Sequence, residues 1–456
     1  MGARLTDSTL YGHLWGTEEL RAVFEERPRL QSWLEILAAL ADAQAELSIV
    51  PREAAEAIRR AASVDALDLV YVAEETRRTG HSTLGLIHGL QRCLPTKAAE
   101  WVYYGATVQD LTDTWTALAM KIVGGVAWRD LRAMERATLD LARLHRETPM
   151  LGRTHGQTGA PTTFGLKAAS WADEIRRHLE RLREGAPRWL VGQLAGGVGN
   201  LAFYGDVGPA LRRGFCERLG LADPGVSWTT SRDRPAEFVS VLSMIGATLG
   251  RIGNEVYELQ RPEIGELREP ATPGSVGSIT MPHKRNPEMS EHLVTLSRLI
   301  RAQAAVVVEG MIQEHERDGR GWKAEWVAFP EACLLAGAAL AFGRRLLQEL
   351  EVDDEAMRRN LGASAYTASE HLLSALSPAF GTHHARARLQ DLLSEARRSG
   401  VSLREAVLGD EELREGLSAD VADSLERLDT GAAAAMVDGV VTRAERARAT
   451  ESDDWP

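Results

Sequence analysis

Apolar residues recur at helical spacing along the middle of the chain. The first run places these side chains on one helix face, at steps of three or four residues: Leu111, Trp115, Leu118, Ile122 and Val126. Pro149 stops this pattern, and three more patterns of the same kind begin at Thr163, Pro235 and Pro287. No segment between them alternates as a strand does. The middle of the chain is therefore predicted to form four long helices packed as a bundle.

The helix signals divide the chain into three predicted domains. Asn286 and Pro287 suit the N-cap and the first position of the fourth long helix. Shorter helical patterns flank the bundle, so we predict an N-terminal helical domain over 1–108, a central bundle over 109–350 and a C-terminal helical domain over 351–456. The polar end "ESDDWP" is predicted to be frayed. Apolar residues on several helix faces indicate either packing in a larger bundle or oligomerisation.

Composition and charge exclude several classes of function. The 44% hydrophobic and 26% charged residues are typical of a globular protein, and we expect no apolar run long enough to span a membrane. A formal net charge of −12 argues against nucleic acid as a partner. The start of the chain lacks the apolar core of a secretion signal, and three distant cysteines fit neither a disulfide framework nor a zinc site. These features predict a cytoplasmic protein.

One long predicted loop, over 263–287, has no apolar period. It reads "EIGELREPATPGSVGSITMPHKRNP", and a loop of this length in a compact domain is usually a lid, a binding loop or a linker. Backbone amides around Ser278 are candidates for an anion-binding nest, which would stabilise a serine alkoxide and make it a base. Lys284 and Asn286 follow as possible carboxylate ligands. The loop therefore combines a candidate base with a candidate carboxylate clamp.

Three other irregular stretches gather hydroxyl, amide and imidazole groups with glycine. They are "RRTGHSTLG" (Arg77–Gly85), "YYGATVQDLTD" (Tyr103–Asp113) and "LGRTHGQTGAPTT" (Leu151–Thr163). Each alone has a structural explanation, since Thr107 suits a helix cap and His81 a hydrogen-bonded structural histidine. Together with the loop, they suit a small polyanion.

The sequence predicts no metal and no cofactor. His383 and His384 are adjacent, so they point apart on a helix and cannot form a simple metal pair. The glycine-rich stretch "GGVGNLAFYGDVG" lacks the preceding strand and the spacing of a dinucleotide site.

Four of these segments carry a resemblance to a known family. "GSITMPHKRNP" resembles the G-S-S-x-M-P-x-K-x-N-P signature of the aspartase/fumarase superfamily, whose members eliminate across a succinyl unit and usually release fumarate. "TGHSTLGLI", "GATVQDLTDT" and "GRTHGQTGAPTTFG" resemble blocks of its adenylosuccinate lyase branch, in collinear order over roughly 10–390. The resemblance implies an all-α, three-domain fold and a homotetramer with a twenty-helix core. Each active site would then draw on three subunits.

The resemblance also implies roles for individual residues. Ser278 aligns with the catalytic base and His155 with the general acid toward the leaving group. His81 matches a second active-site histidine, and Ser82 beside it is placed with the substrate-binding residues. The remaining residues match positions that hold the carboxylates of a small dicarboxylate substrate: Thr107, Gln109, Thr154, Gln157, Lys284 and Asn286.

Departures from the pattern bear on the substrate. Ile279 and Val108 replace serines of the family blocks. The segment "HERDGRGWKAEW" resembles one of the 3-carboxy-cis,cis-muconate cycloisomerases. However, the chain has His155, a histidine that bacterial cycloisomerases generally lack. We therefore interpret the chain as a cofactor-independent lyase that removes a nitrogen leaving group from a small substituted succinate such as nitrosuccinate. The alternatives are adenylosuccinate lyase, the cycloisomerase, and a catalytically inactive structural member.

Overall fold

The computed structural model describes residues 4–271, 274, 276–364, 366–415, 417 and 428–456, and these are mostly helical. Six helices come first in the described chain: α1 (Glu18–Phe24), α2 (Glu26–Glu46), α3 (Arg52–Ala61), α4 (Leu69–Thr79), α5 (Leu84–Arg92) and α6 (Thr96–Ala99). The bundle follows: α7 (Val108–Leu144), α8 (Phe164–Trp189), α9 (Gly208–Arg218), α10 (Asp233–Leu259), α11 (Glu288–Glu309) and α12 (Gly319–Gln348). The predicted all-α class is confirmed.

The bundle has five long helices where the sequence predicted four. α11 and α12 are separate, because the charged segment before α12 turns the chain and Asp318 caps the new helix by accepting from the Arg320 N–H. The predicted cap of α11 is also wrong by one residue. Pro287 is the N-cap, and the Asn286 amide instead donates to the Gly277 carbonyl at 2.8 Å.

A β-hairpin joins α7 to α8, which corrects the prediction that no strands lie between the helices. β1 (Pro149–Thr154) and β2 (Gln157–Thr163) are antiparallel, and Thr154 lies opposite Gln157. His155 and Gly156 form the two-residue turn with φ of 53° and 72°. Two left-handed residues in succession are typical of the hairpin turns that match strand twist. The hairpin escaped prediction because its tip is exposed on both faces and so shows no apolar alternation.

The hairpin and the long loop are tied together at one end of the bundle. β3 (Leu267–Arg268) lies in the loop and pairs with β4 (Glu351–Val352). Arg153, in β1, donates two hydrogen bonds to the buried Glu266 carboxylate, at 2.7 and 2.9 Å. Glu269 then fixes the other side of the loop by accepting from the backbone N–H groups of Met289 and Ser290, at the start of α11. A carboxylate at a helix N-terminus is favourable because it complements the helix dipole.

The remaining helices of the described chain pack in three places. They are α13 (Asp354–Ala363), α14 (Ser369–Phe380), α15 (Thr382–Ser399), α16 (Leu403–Gly409), α17 (Glu411–Glu415) and α18 (Ala433–Thr450). α13 packs on β1, α14 to α17 share a small hydrophobic core of their own, and α18 packs on α7 and α8. The helices before the bundle contribute to the same main core as the bundle itself. The three domain boundaries remain predictions.

The chain end is packed rather than frayed, contrary to the sequence prediction. Trp455 lies against Gly124 and Gly125 of α7, where a Cβ on Gly124 would come within 2.5 Å of the indole. The Trp128 indole N–H donates to the Asp453 carbonyl at 3.0 Å. Trp455 fits the notch that Gly124 and Gly125 leave on α7. The polar composition of "ESDDWP" gave no sign of this contact, so the prediction of a frayed end was wrong.

Two helices are long and apolar enough to cross a membrane by length and composition, Asp233–Leu259 and Gly319–Gln348. This corrects the expectation that no such segment exists. In both, 67% of the apolar window is buried inside the fold, as in the core helices of globular proteins.

Candidate active site

The first group of predicted site residues lies at the start of α7. Thr107 is the N-cap, in a capping box with Asp110, as its structural explanation required. Its hydroxyl also accepts from Arg317 at 2.8 Å. Asp110 is buried and accepts from the backbone N–H groups of Ala195 and Gly196 at 2.8 and 3.2 Å. Burial raises the pKa of Asp110 to about 7, against the effect of these donors.

Tyr103 connects this helix start to the segment that contains His81. Its hydroxyl is hydrogen-bonded to the side chains of Thr83 and Thr107, and burial raises its pKa. The exposed His81 ring has Nδ1 at 3.4 Å from the Thr83 hydroxyl. Ser82 faces a neighbouring cavity. The structure therefore brings His81, Ser82 and Thr107 together, and we call this group the α7-start cluster.

Gln109 does not belong to the exposed part of this cluster, and its role as a carboxylate ligand stays a prediction. Its side chain is fully buried, and the amide donates to Asp113 at 3.3 Å and to the Thr229 carbonyl at 3.1 Å. A residue at the first turn of a helix can face inward as well as outward, and the sequence spacing does not distinguish the two. Gln109 therefore links the first turn of α7 to the backbone at Thr229.

A buried ion triad beneath the cluster was not predicted from the sequence. Arg232 donates to Asp113 at 2.9 and 3.1 Å and to Glu325 at 3.0 and 2.7 Å, and all three side chains are buried. Burial raises the pKa of both carboxyl groups, and the two carboxylates raise that of Arg232. The triad joins α7, the start of α10 and α12, so it fixes the helix ends that carry the cluster.

The second group lies in the long loop. Ser278 Oγ accepts from the Met281 N–H at 3.0 Å, and no other backbone amide of the described residues reaches it, so the predicted nest is reduced to one donor there. Lys284 is exposed and forms no salt bridge with any described residue. Gly277 is required by the loop's fold, because a Cβ there would lie 2.4 Å from the Lys284 carbonyl oxygen.

The third group is the tip of the hairpin. Thr154, His155 and Gln157 are all exposed, and none hydrogen-bonds to Ser278 in the described part of the chain. Arg153, which directly precedes the tip, nevertheless fixes the hairpin to the loop through Glu266. We call the loop and hairpin groups together the hairpin-end cluster.

The two clusters lie at opposite ends of the bundle. Thr107 immediately precedes α7 and the hairpin follows it, and α7 has 37 residues. At 1.5 Å per residue the helix is about 55 Å long. A single chain therefore cannot bring Ser278 or His155 to His81 and Thr107. Among the described residues, no group of three or more His, Cys, Asp or Glu side chains is placed to hold a metal ion.

Solved structures of the superfamily that the sequence resembles share this helical fold, with TM-scores of 0.86–0.87. The family model described as "Lyase" matches residues 15–302, and the chain belongs to that family. The resemblance to the aspartase/fumarase superfamily is thus confirmed.

Individual relatives differ in the reactions their names describe. The chain is 42% identical to N-acetyl-S-(2-succino)cysteine lyase of Dickeya dadantii, over 79% of each chain. It is 36% identical to nitrosuccinate lyase of Streptomyces davaonensis, over 98% of this chain and 97% of that one. The crystal structure of 3-carboxy-cis,cis-muconate lactonizing enzyme from Pseudomonas putida superimposes with a TM-score of 0.87 at 32% identity, covering 96% of this chain and 99% of that chain.

Proposed function

We propose that the protein is a fumarate-releasing lyase that eliminates the substituent of a 2-substituted succinate. The observation that carries this proposal is that Ser278 and Lys284 lie on one loop, which Glu266 anchors on one side and Glu269 on the other. The Met281 N–H donates to Ser278 Oγ and so stabilises negative charge on that oxygen. The family and the names of two relatives support the same class of reaction.

The proposed reaction removes one proton from carbon, uses the C–H electron pair to form the double bond, and releases the leaving group with the electron pair of its own bond to carbon. Ser278, as an alkoxide, takes a proton from C3 of the substrate, which is the methylene carbon that does not bear the leaving group. The electron pair spreads into the adjacent carboxylate, where the Lys284 ammonium stabilises it. The pair then forms the double bond of fumarate while the bond to the leaving group breaks. His155 donates a proton to a leaving group that departs poorly as an anion.

The active site in this proposal is shared among subunits of a homotetramer. Two clusters at opposite ends of a helix about 55 Å long can meet only if a neighbouring chain runs in the opposite direction. The long helices also expose apolar side chains that a neighbouring chain would cover, among them Ile122, Met244 and Val306. We place the reaction in the cytoplasm, since the three cysteines form no disulfide with one another.

The identity of the leaving group forms the finer part of the proposal. The sequence favours a nitrogen group, with nitrosuccinate as substrate, and the similarity to a nitrosuccinate lyase over nearly the full length supports it. A thioether of succinate is the second candidate, because a relative whose name describes such a substrate is 42% identical.

The test is fumarate formation by the purified protein. Nitrosuccinate, N-acetyl-S-(2-succino)cysteine and adenylosuccinate are supplied separately, and fumarate is measured by its ultraviolet absorbance. Ser278→Ala serves as the paired variant, because a loop serine contributes little to the core. We expect turnover of at least one substrate by the wild type and near-total loss in the variant. No fumarate from any of the three, or full activity of Ser278→Ala, would overturn the proposal.

A further inference from the structure

A cavity of about 450 Å³ lies beside the α7-start cluster, between α2, α4, α7 and α12. Four tryptophans line it, and we call it the indole pocket: Trp33, Trp115, Trp322 and Trp326. Trp33 meets Trp115 edge to face with ring centres 6.5 Å apart, and Trp322 meets Trp326 in the same way at 4.8 Å. The volume lies in the range that organic ligands occupy in proteins.

The indole pocket is continuous with the α7-start cluster. Ser82 lines the pocket and directly follows His81. Thr112 of α7 also lines it and lies five residues after Thr107, about 7.5 Å along the helix. If the succinyl unit of a substrate is held at His81 and Thr107, its leaving group would therefore extend into the pocket.

The walls of the pocket suit a flat apolar group. Indole faces and edges favour contact with other rings, and the aliphatic lining residues include Leu69 and Val72. Nitrite, by contrast, has about the size of two water molecules, roughly 60 Å³. It would leave most of the pocket unfilled, so the shape of this pocket favours a larger leaving group.

Two arginines provide positive charge at the pocket. The Arg29 guanidinium lies 6.0 Å from the ring centres of both Trp33 and Trp115. Arg77 is exposed on α4, four residues before His81. Neither side chain forms a hydrogen bond or salt bridge with a residue that the structure describes. Arg232, which also lines the pocket, differs because Asp113 and Glu325 already bind it.

We propose that the indole pocket binds the leaving group of the substrate, and that this group has a flat apolar body with a carboxylate that faces Arg29 and Arg77. The proposal rests on the proposed function for the succinyl half, and for the leaving group it favours a ring-sized group over the nitrite of nitrosuccinate. It identifies the substrate class as a succinate bearing an aryl-sized amine or thiol that carries an acidic group.

The first experiment measures binding without catalysis. Thiosalicylate, the free leaving group of S-(2-succinyl)thiosalicylate, is titrated into the wild-type oligomer and followed by calorimetry and by quenching of tryptophan fluorescence. Ala73→Phe puts a ring into the pocket from an exposed position on α4, and Val70→Phe puts the same ring at an exposed position of the same helix that does not line the pocket. We expect binding that Ala73→Phe weakens about tenfold or more, as the loss of a ring-sized apolar contact implies, and that Val70→Phe leaves unchanged.

The second experiment tests the charge. Arg77→Gln should weaken binding of thiosalicylate but not of thiophenol, and Arg77→Lys should restore part of the difference. The kinetic counterpart is a higher KM of Ala73→Phe for S-(2-succinyl)thiosalicylate with little change for nitrosuccinate.

The outcomes separate this inference from the proposed function. Fumarate release that is equally efficient in wild type, Ala73→Phe and Val70→Phe with the aryl substrate would overturn the pocket assignment and leave the lyase proposal intact. Saturable thiosalicylate binding that Ala73→Phe abolishes, in a protein that releases no fumarate from any substrate, would support the pocket while the lyase proposal failed. No binding of thiosalicylate to the wild type would overturn the pocket assignment outright.

Discussion

The buried triad makes a quantitative prediction for Arg232→Met. The substitution removes the only cation of the triad and leaves Asp113 and Glu325 buried side by side, since their other partners are neutral. Breaking a buried ion pair in this way costs about 3–5 kcal/mol. With about 1 °C of Tm per kcal/mol in a chain of 456 residues, the Tm should fall by roughly 3–5 °C.

The assay is thermal melting by circular dichroism at fixed protein concentration, with Arg358→Met as the matched control. Arg358 forms an exposed pair with Asp354 at 2.9 Å, which is expected to contribute about 0.5 kcal/mol or less. Burial already raises the pKa of Asp113 and Glu325, so the native variant binds protons more tightly than the unfolded chain. Its deficit should therefore shrink as the pH falls. Equal losses in the two variants, or a deficit independent of pH, would refute this reasoning.

Three further predictions follow from single residues. The pKa of Asp110 is raised to about 7, so its contribution to stability is fully present below about pH 4 and lost as the pH rises through 7; Asp110→Asn should flatten the fall in Tm between pH 5 and pH 8. Trp455→Ala should lower the Tm by about 1–2 °C and leave kcat unchanged, because packing of the half-buried indole in the α7 notch contributes about 1–2 kcal/mol. His155→Ala should reduce kcat about 10²–10⁴-fold for adenylosuccinate, whose amine needs a proton, and much less for nitrosuccinate; equal losses would show that His155 is not a general acid.

Much of the fold could be predicted from the sequence because long helices repeat one simple signal. The apolar spacing from Leu111 to Val126 identified α7, and Pro149 marked its end within a few residues. The break between α11 and α12 was missed because both helices are apolar and the turn between them is short. The hairpin was missed because its exposed tip, with His155 in the turn, has no buried face to impose alternation.

The candidate site was predictable as a set of residues but not as an arrangement. The resemblance singled out Ser278, His155 and His81, yet only the length of α7 shows that His81 cannot meet Ser278 or His155 within one chain. Gln109 lies inside the fold because α7 turns that face toward the Thr229 carbonyl, and nothing in the motif specifies which way a first-turn side chain points. Arg232, Asp113 and Glu325 are far apart in sequence, so their pairing depends wholly on tertiary packing.

Complementation between two inactive variants tests the central claim most directly. Ser278→Ala disables the hairpin-end cluster and His81→Ala the α7-start cluster, and both substitutions are at positions with little packing. The two proteins are purified, mixed, dissociated and reassembled, and fumarate release is compared with each variant treated alone. If each site takes Ser278 from one chain and His81 from another, random reassembly should restore roughly a quarter of wild-type activity. Recovery no greater than the sum of the separate variants would contradict the shared active site.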